Sequence, residues 1–158
     1  MGEGQYLANR LVMESRKSKH EFICPSNCSS STFDFDEVTV FAEAHHMHNY
    51  GKRLVSEVIR GDTIVNTAVI DYWDFDQNGV VLVQQKPYKL KKGDSYRSTC
   101  YFESDGNQTY GIASTEEMCI SSIYYSYYPK QSGFSNCGPS NEQAPMECSS
   151  SFSSSILE

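Results

Sequence analysis

"EVTVFAEAHHMH", residues 37–48, decides how the rest of the chain is read. Its β-branched and apolar residues recur at the two-residue period of a strand. On a strand, side chains at i and i+2 share a face while i+1 points away. Three histidines within four residues suggest a metal, and the strand period sorts them. His46 and His48 converge on one side, and His45 faces the other. A His-x-His pair supplies two ligands and needs a third from elsewhere; a polar strand face without an ion is the alternative reading of the bare pair. The fourth histidine, His20, stands alone and is read as a surface residue.

Outward from this segment, similar short runs recur: "RLVSEVIRG" (53–61), "TIVNTAVIDYW" (63–73), "GVVLVQQ" (79–85), "DSYRSTCYFES" (94–104) and "MCISSIYYSYY" (118–128). Turn signals separate them at Asn49-Tyr50-Gly51, Gly61-Asp62, Asp76-Gln77-Asn78-Gly79, Lys92-Gly93-Asp94 and Asp105-Gly106-Asn107. Strands of this length with turns this frequent predict an all-β antiparallel sandwich or barrel. Helical spacing is not sustained anywhere in the middle of the chain. "CPSNCSSST" (24–32) reads as a loop from its Pro, Asn and Ser content. Residues 1–21 read as a lead-in segment, 22–148 as the folded domain, and the Ser-rich 149–158 as a flexible tail.

The 158 residues suffice for one domain with a single core. The net charge of −7, from 13 Lys+Arg against 20 Asp+Glu, argues against a nucleic-acid binder. No apolar run approaches the ~20 residues of a membrane-spanning helix. Six cysteines (Cys24, Cys28, Cys100, Cys119, Cys137 and Cys148) form an even set without a CxxC pair. That pattern favours disulfides over a four-thiolate zinc site, although the sequence alone leaves every pairing open. The triplets Asn27-Cys28-Ser29 and Asn107-Gln108-Thr109 are glycosylation sequons at Asn27 and Asn107. Together these features predict a protein that is secreted or in the lumen of the secretory pathway. With no apolar h-region behind Met1, the expectation is a fragment or a matured segment.

Met118, beside Cys119 at the start of a Tyr-dense strand, would by itself be read as core filler. The ordered set changes that reading. His46-Met47-His48-Asn49-Tyr50-Gly51-Lys52, then Lys92-Gly93-Asp94 before Cys100, then Glu117-Met118-Cys119 with Tyr127-Tyr128-Pro129 resembles the C-terminal catalytic domain of the type II, ascorbate-dependent copper monooxygenases. That family includes dopamine β-monooxygenase, DBH-like monooxygenases and the peptidylglycine α-hydroxylating enzyme. The resemblance covers roughly residues 22–137 and implies a disulfide-stapled, jelly-roll-like β-sandwich. It implies one copper ion held by His46, His48 and Met118, the residues on which catalysis would rest. Two imidazoles and a thioether suit copper that cycles through Cu(I), and three protein ligands leave a position open.

The resemblance also implies the bridges Cys100–Cys119 and Cys24–Cys137 and, less directly, Cys28–Cys148. It implies dioxygen and a small-molecule substrate as partners, hydroxylated at a C–H bond. Three departures from the family bear on function. Nothing in residues 1–23 encodes the N-terminal copper lobe that takes electrons from ascorbate, so this chain alone is expected to be inactive without such a lobe. Ala44 stands where the peptide-amidating branch has a carboxylate-binding Arg. Ser122 stands where that branch has a substrate-contacting Tyr; the nearest aromatics are Tyr124 and Tyr125, one on each strand face. The alternative reading is a non-catalytic, secreted copper-binding sandwich, and a plainer one is a structural sandwich that binds nothing.

Overall fold

The computed structural model describes residues 12–13, 16–33, 35–77, 81–126, 137–138, 148–149 and 151–157. In chain order the strands are β1 (Val12–Met13), β2 (Arg16–Cys24), β3 (Glu37–Met47), β4 (Gly51–Arg60), β5 (Thr63–Ile70), β6 (Val81–Lys91), β7 (Ser95–Ser104), β8 (Gln108–Thr109), β9 (Cys119–Ser126), β10 (Cys137–Gly138), β11 (Cys148–Ser149) and β12 (Ser151–Leu157). One short helix, α1 (Ser26–Thr32), lies between β2 and β3. A five-stranded sheet in the order β12-β2-β7-β4-β5 and a three-stranded sheet in the order β6-β3-β9 are antiparallel throughout. The chain is therefore an all-β, sandwich-like protein.

Period-2 patterning gives each strand one core face. Ser18, His20, Phe22 and Cys24 of β2 are buried, as are Leu54, Ser56 and Val58 of β4 and Tyr96, Ser98, Cys100 and Phe102 of β7. Burying a side chain such as Phe22 or Leu54 is worth roughly 1.5–3 kcal/mol. The turns obey local sterics: Gly61 and Gly93 sit at φ +57° and +90°, where an L side chain is strained. At the Lys92-Gly93-Asp94 turn, the buried Asp94 accepts the Lys91 N–H at 2.8 Å. The same carboxylate takes a bidentate pair from Arg60 at 2.8 and 2.7 Å, pinning the end of β4 to the β6–β7 turn.

Two disulfides tie the architecture together: Cys24–Cys137, and Cys100–Cys119, which joins β7 of one sheet to β9 of the other. Cys28 is also disulfide-bonded. The expected pairing of Cys28 with Cys148 involves a side chain outside the described residues, as does the Tyr127-Tyr128-Pro129 ending. Among the described residues no helix is long and apolar enough to cross a membrane.

The described residues depart from expectation in four places. The lead-in segment is folded from Arg16 onward, with β2 lying between β12 and β7. The Ser-rich tail contains a strand, Ser151–Leu157. It forms β12 against the open edge of β2, because edge pairing uses backbone hydrogen bonds that any side chain allows. The 24–32 loop contains α1, whose serines bond back to the turn before them: Ser29 and Ser30 donate to the Ser26 carbonyl and Ser31 to that of Cys28. His20 is 3% exposed, not on the surface. Its ring packs 5.2 Å from Phe102 and 5.6 Å from both Tyr110 and Phe152, and Nδ1 lies 2.8 Å from the Tyr110 hydroxyl. Burial pushes its pKa down to about 4.

Candidate metal centre

A bulge in β3 determines which way the histidines point. Pairing with β9 runs Thr39↔Ser126 and Val40↔Tyr125, then resumes at Ala42↔Tyr124, so Phe41 is an extra residue. An inserted residue exchanges the two faces of everything beyond it. Val38 and Val40 face the core before the bulge; Glu43, His45 and Met47 are the fully buried residues after it. His46 and His48 are thereby delivered to the opposite side, away from the five-stranded sheet.

Their rings meet edge to face with centroids 5.0 Å apart. With metal–nitrogen bonds of about 2 Å, two imidazoles sharing one ion have centroids about 5 Å apart. Residues directly opposite in an antiparallel pair share a face. His46 pairs with Ile120, and Ala44 with Ser122. Met118, two residues before Ile120, immediately precedes β9 at the end where His48 leaves β3, and is 5% exposed. Trp73 and Phe75 flank the pair edge-on, at 6.1 Å from the His46 ring and 5.5 Å from the His48 ring. Among the described residues no three His, Cys, Asp or Glu side chains are grouped to hold a metal. A metal held by these two imidazoles would need a donor of another kind, and Met118 is the candidate the sequence named.

His48 is held from every side. Its Nδ1–H donates to the Glu116 carbonyl at 2.8 Å, and a carbonyl can only accept. That bond fixes the tautomer and leaves Nε2 as the nitrogen with a lone pair to offer. The His48 carbonyl accepts the Trp73 indole N–H at 3.1 Å and the Gly51 N–H at 3.3 Å. One residue on, Asn49 donates to the Ser114 carbonyl at 3.0 Å. Gly51 of the motif is needed for close approach rather than for its φ. A Cβ there would lie 2.7 Å from Met47 Cβ, inside the core.

Sequence reasoning quoted Glu117 within its motif but gave it no role. The side chain is fully buried, and its carboxylate accepts the backbone N–H of His48 (3.0 Å), Tyr50 (2.6 Å) and Met118 (3.2 Å). Desolvation raises its pKa while these three bonds oppose the rise.

His45, on the other face, belongs to a polar layer inside the sandwich. Its Nδ1 lies 3.1 Å from Ser121 Oγ and its Nε2 3.4 Å from Ser56 Oγ; burial pushes its pKa down to about 4. The neighbouring Glu43 carboxylate accepts from Ser56 (2.7 Å), Asn66 (2.9 Å), Tyr88 (2.9 Å) and Tyr96 (3.2 Å). Four donors satisfy a buried carboxylate that would otherwise be costly. This layer separates two apolar clusters, one around Val40, Val58 and Tyr96 and the other around Met47, Leu54 and Cys100.

The fold and this site describe a disulfide-bonded β-sandwich with two imidazoles 5.0 Å apart at the end of the β3–β9 ladder. The family comparison agrees in kind. Residues 3–151 match the copper type II ascorbate-dependent monooxygenase, C-terminal domain, and the chain belongs to that family. No curated protein matches the chain.

Proposed function

We propose that this chain is the oxygen-binding copper domain of a monooxygenase that hydroxylates a C–H bond of a small substrate. The reading is supported by the 5.0 Å approach of the His46 and His48 rings, by Met118 standing one residue beyond the β3–β9 ladder next to them, and by His48 Nδ1 being tied to a carbonyl so that Nε2 is the free donor. Copper held there supplies the one-electron chemistry by which the family uses dioxygen, with ascorbate as reductant. The two imidazoles hold the ion, the thioether favours its reduced state, and Trp73 and Phe75 shield the rings from water. Ala44 and Ser122, paired across β3 and β9, form a small uncharged floor beside the site. That floor offers no cation to a carboxylate and disfavours a peptide substrate ending in one.

The second, electron-supplying copper is assigned to a separate N-terminal lobe. The two remaining histidines, His20 and His45, are buried in hydrogen bonds on the core face and do not reach an ion at the surface. The disulfides support a secreted or lumenal location. Asn27 and Asn107 are exposed and are the glycosylation sites.

Cu(I) titration and X-ray absorption on the reduced protein test the site. Wild type should show two imidazole nitrogens and one sulfur, and Met118→Ala should lose the sulfur and bind more weakly. Identical affinity and spectra in the two proteins would remove Met118 from the site and the monooxygenase reading with it.

A further inference from the structure

Two of the donors of the proposed copper site, His48 and Met118, lie just past the end of the β3–β9 pairing. The β3–β9 ladder ends at Met47↔Cys119, one residue short of both His48 and Met118. Beyond it Glu117 takes over. Its Oε2 accepts the N–H of His48 and of Met118, so one oxygen fixes the backbone of both residues, while Oε1 accepts the N–H of Tyr50. Resting on the copper reading above, we infer that Glu117 is the positioning residue of the site: it sets the thioether of Met118 against the imidazole of His48.

An apolar residue would fill the same buried space without the cost of desolvating a carboxylate. It would leave three backbone N–H groups without acceptors, two of them on ligand residues. The loss should therefore fall on the geometry of the metal site, and on its sulfur component first. His46 lies within the β3–β9 ladder, which Glu117 does not touch, and His48 keeps its bond to the Glu116 carbonyl.

The test is X-ray absorption and Cu(I) affinity on reduced wild type, Glu117→Leu, Glu117→Gln, Glu117→Asp and Met118→Ala, each checked for folding by circular dichroism. Removing an outer partner of a metal ligand typically costs 10–100-fold in affinity. Glu117→Leu should weaken Cu(I) binding by about that factor and lose the sulfur scattering, with the two-imidazole signal retained. Glu117→Gln keeps one oxygen able to accept from His48 and Met118, and should restore the sulfur signal. Glu117→Asp, one methylene shorter, should not restore it, and decides the matter if the Leu variant fails to fold. A folded Leu or Asp variant with wild-type sulfur scattering overturns the inference. If wild type and Met118→Ala are themselves indistinguishable, the copper reading has failed instead.

Discussion

His20 is one of two buried rings, with His45, that make the protein less stable in acid. In the fold its pKa is about 4, against 6.5 for the free side chain, because burial among Phe102, Tyr110 and Phe152 disfavours the charged form. A depressed histidine pKa means that the unfolded chain binds the proton first as pH falls. Stability is therefore intact above about pH 6.5, declines below it and levels off near pH 4, the window set by the two pKa values. At 1.36 kcal/mol per pKa unit, one such histidine removes about 2 kcal/mol by pH 5 and about 3 kcal/mol by pH 4. The assay is urea unfolding at pH 8 and pH 5, with disulfides intact and a copper chelator present, followed by the fluorescence of the single Trp, Trp73. Wild type and His20→Gln share all other titrating groups, so their carboxylates cancel in the comparison. The pH 8-to-5 loss should be smaller in His20→Gln by about 2 kcal/mol. His20→Gln can also lower stability at both pH values alike, and only the difference in pH dependence bears on the argument. The same loss in both proteins would show that His20 titrates normally in the fold, and would refute its burial as a neutral ring.

Gly51→Ala forces a methyl against Met47 Cβ in the core, and should cost about 1–3 kcal/mol in chemical unfolding while displacing His48 enough to weaken Cu(I) binding. Removing the Cys100–Cys119 bridge by Cys100→Ser with Cys119→Ser opens a loop with a sequence separation of 19, and should lower stability by about 3 kcal/mol. Asp94→Ala leaves Arg60 without its bidentate partner and the Lys91 N–H without an acceptor, and should cost about 2–4 kcal/mol by the same assay. Deleting Phe41 removes the bulge and turns His46 and His48 toward the core; Cu(I) binding by titration should be lost even where circular dichroism shows a folded sheet.

Strands and turns were legible in the sequence because both are local. The run 37–48 appears as Glu37–Met47, 53–61 as Gly51–Arg60 and 94–104 as Ser95–Ser104, and the Gly61 and Gly93 turns sit at positive φ. What could not be read depends on distant neighbours. His20 looks like a surface residue until Phe102, Tyr110 and Phe152 close around it from remote parts of the chain. Residues 151–155, four serines and Phe152, look mobile by composition, yet the edge of β2 gives their backbone a partner. Glu43 looks like an outward polar residue in an alternating strand. Its four donors come from β4, β5, β6 and β7, and no window of sequence contains them.

The candidate site itself was partly legible for a reason that the bulge makes clear. Reading 37–48 as one unbroken strand would place His46 and His48 on the side of Val38 and Val40, facing the core. The i, i+2 relation survives this error, because a bulge upstream moves both histidines together and leaves them on a common face. Which side of the sheet that face occupies depends on Phe41, and no local pattern marks Phe41 as the inserted residue. Burial marks the bulge: the alternation breaks just after Phe41, where Ala42 and Glu43 are buried in succession. The same insertion sends Glu43 and His45 inward to form the polar layer. One extra residue in β3 therefore accounts both for the side on which the histidine pair meets and for the buried carboxylate and imidazole on the other face.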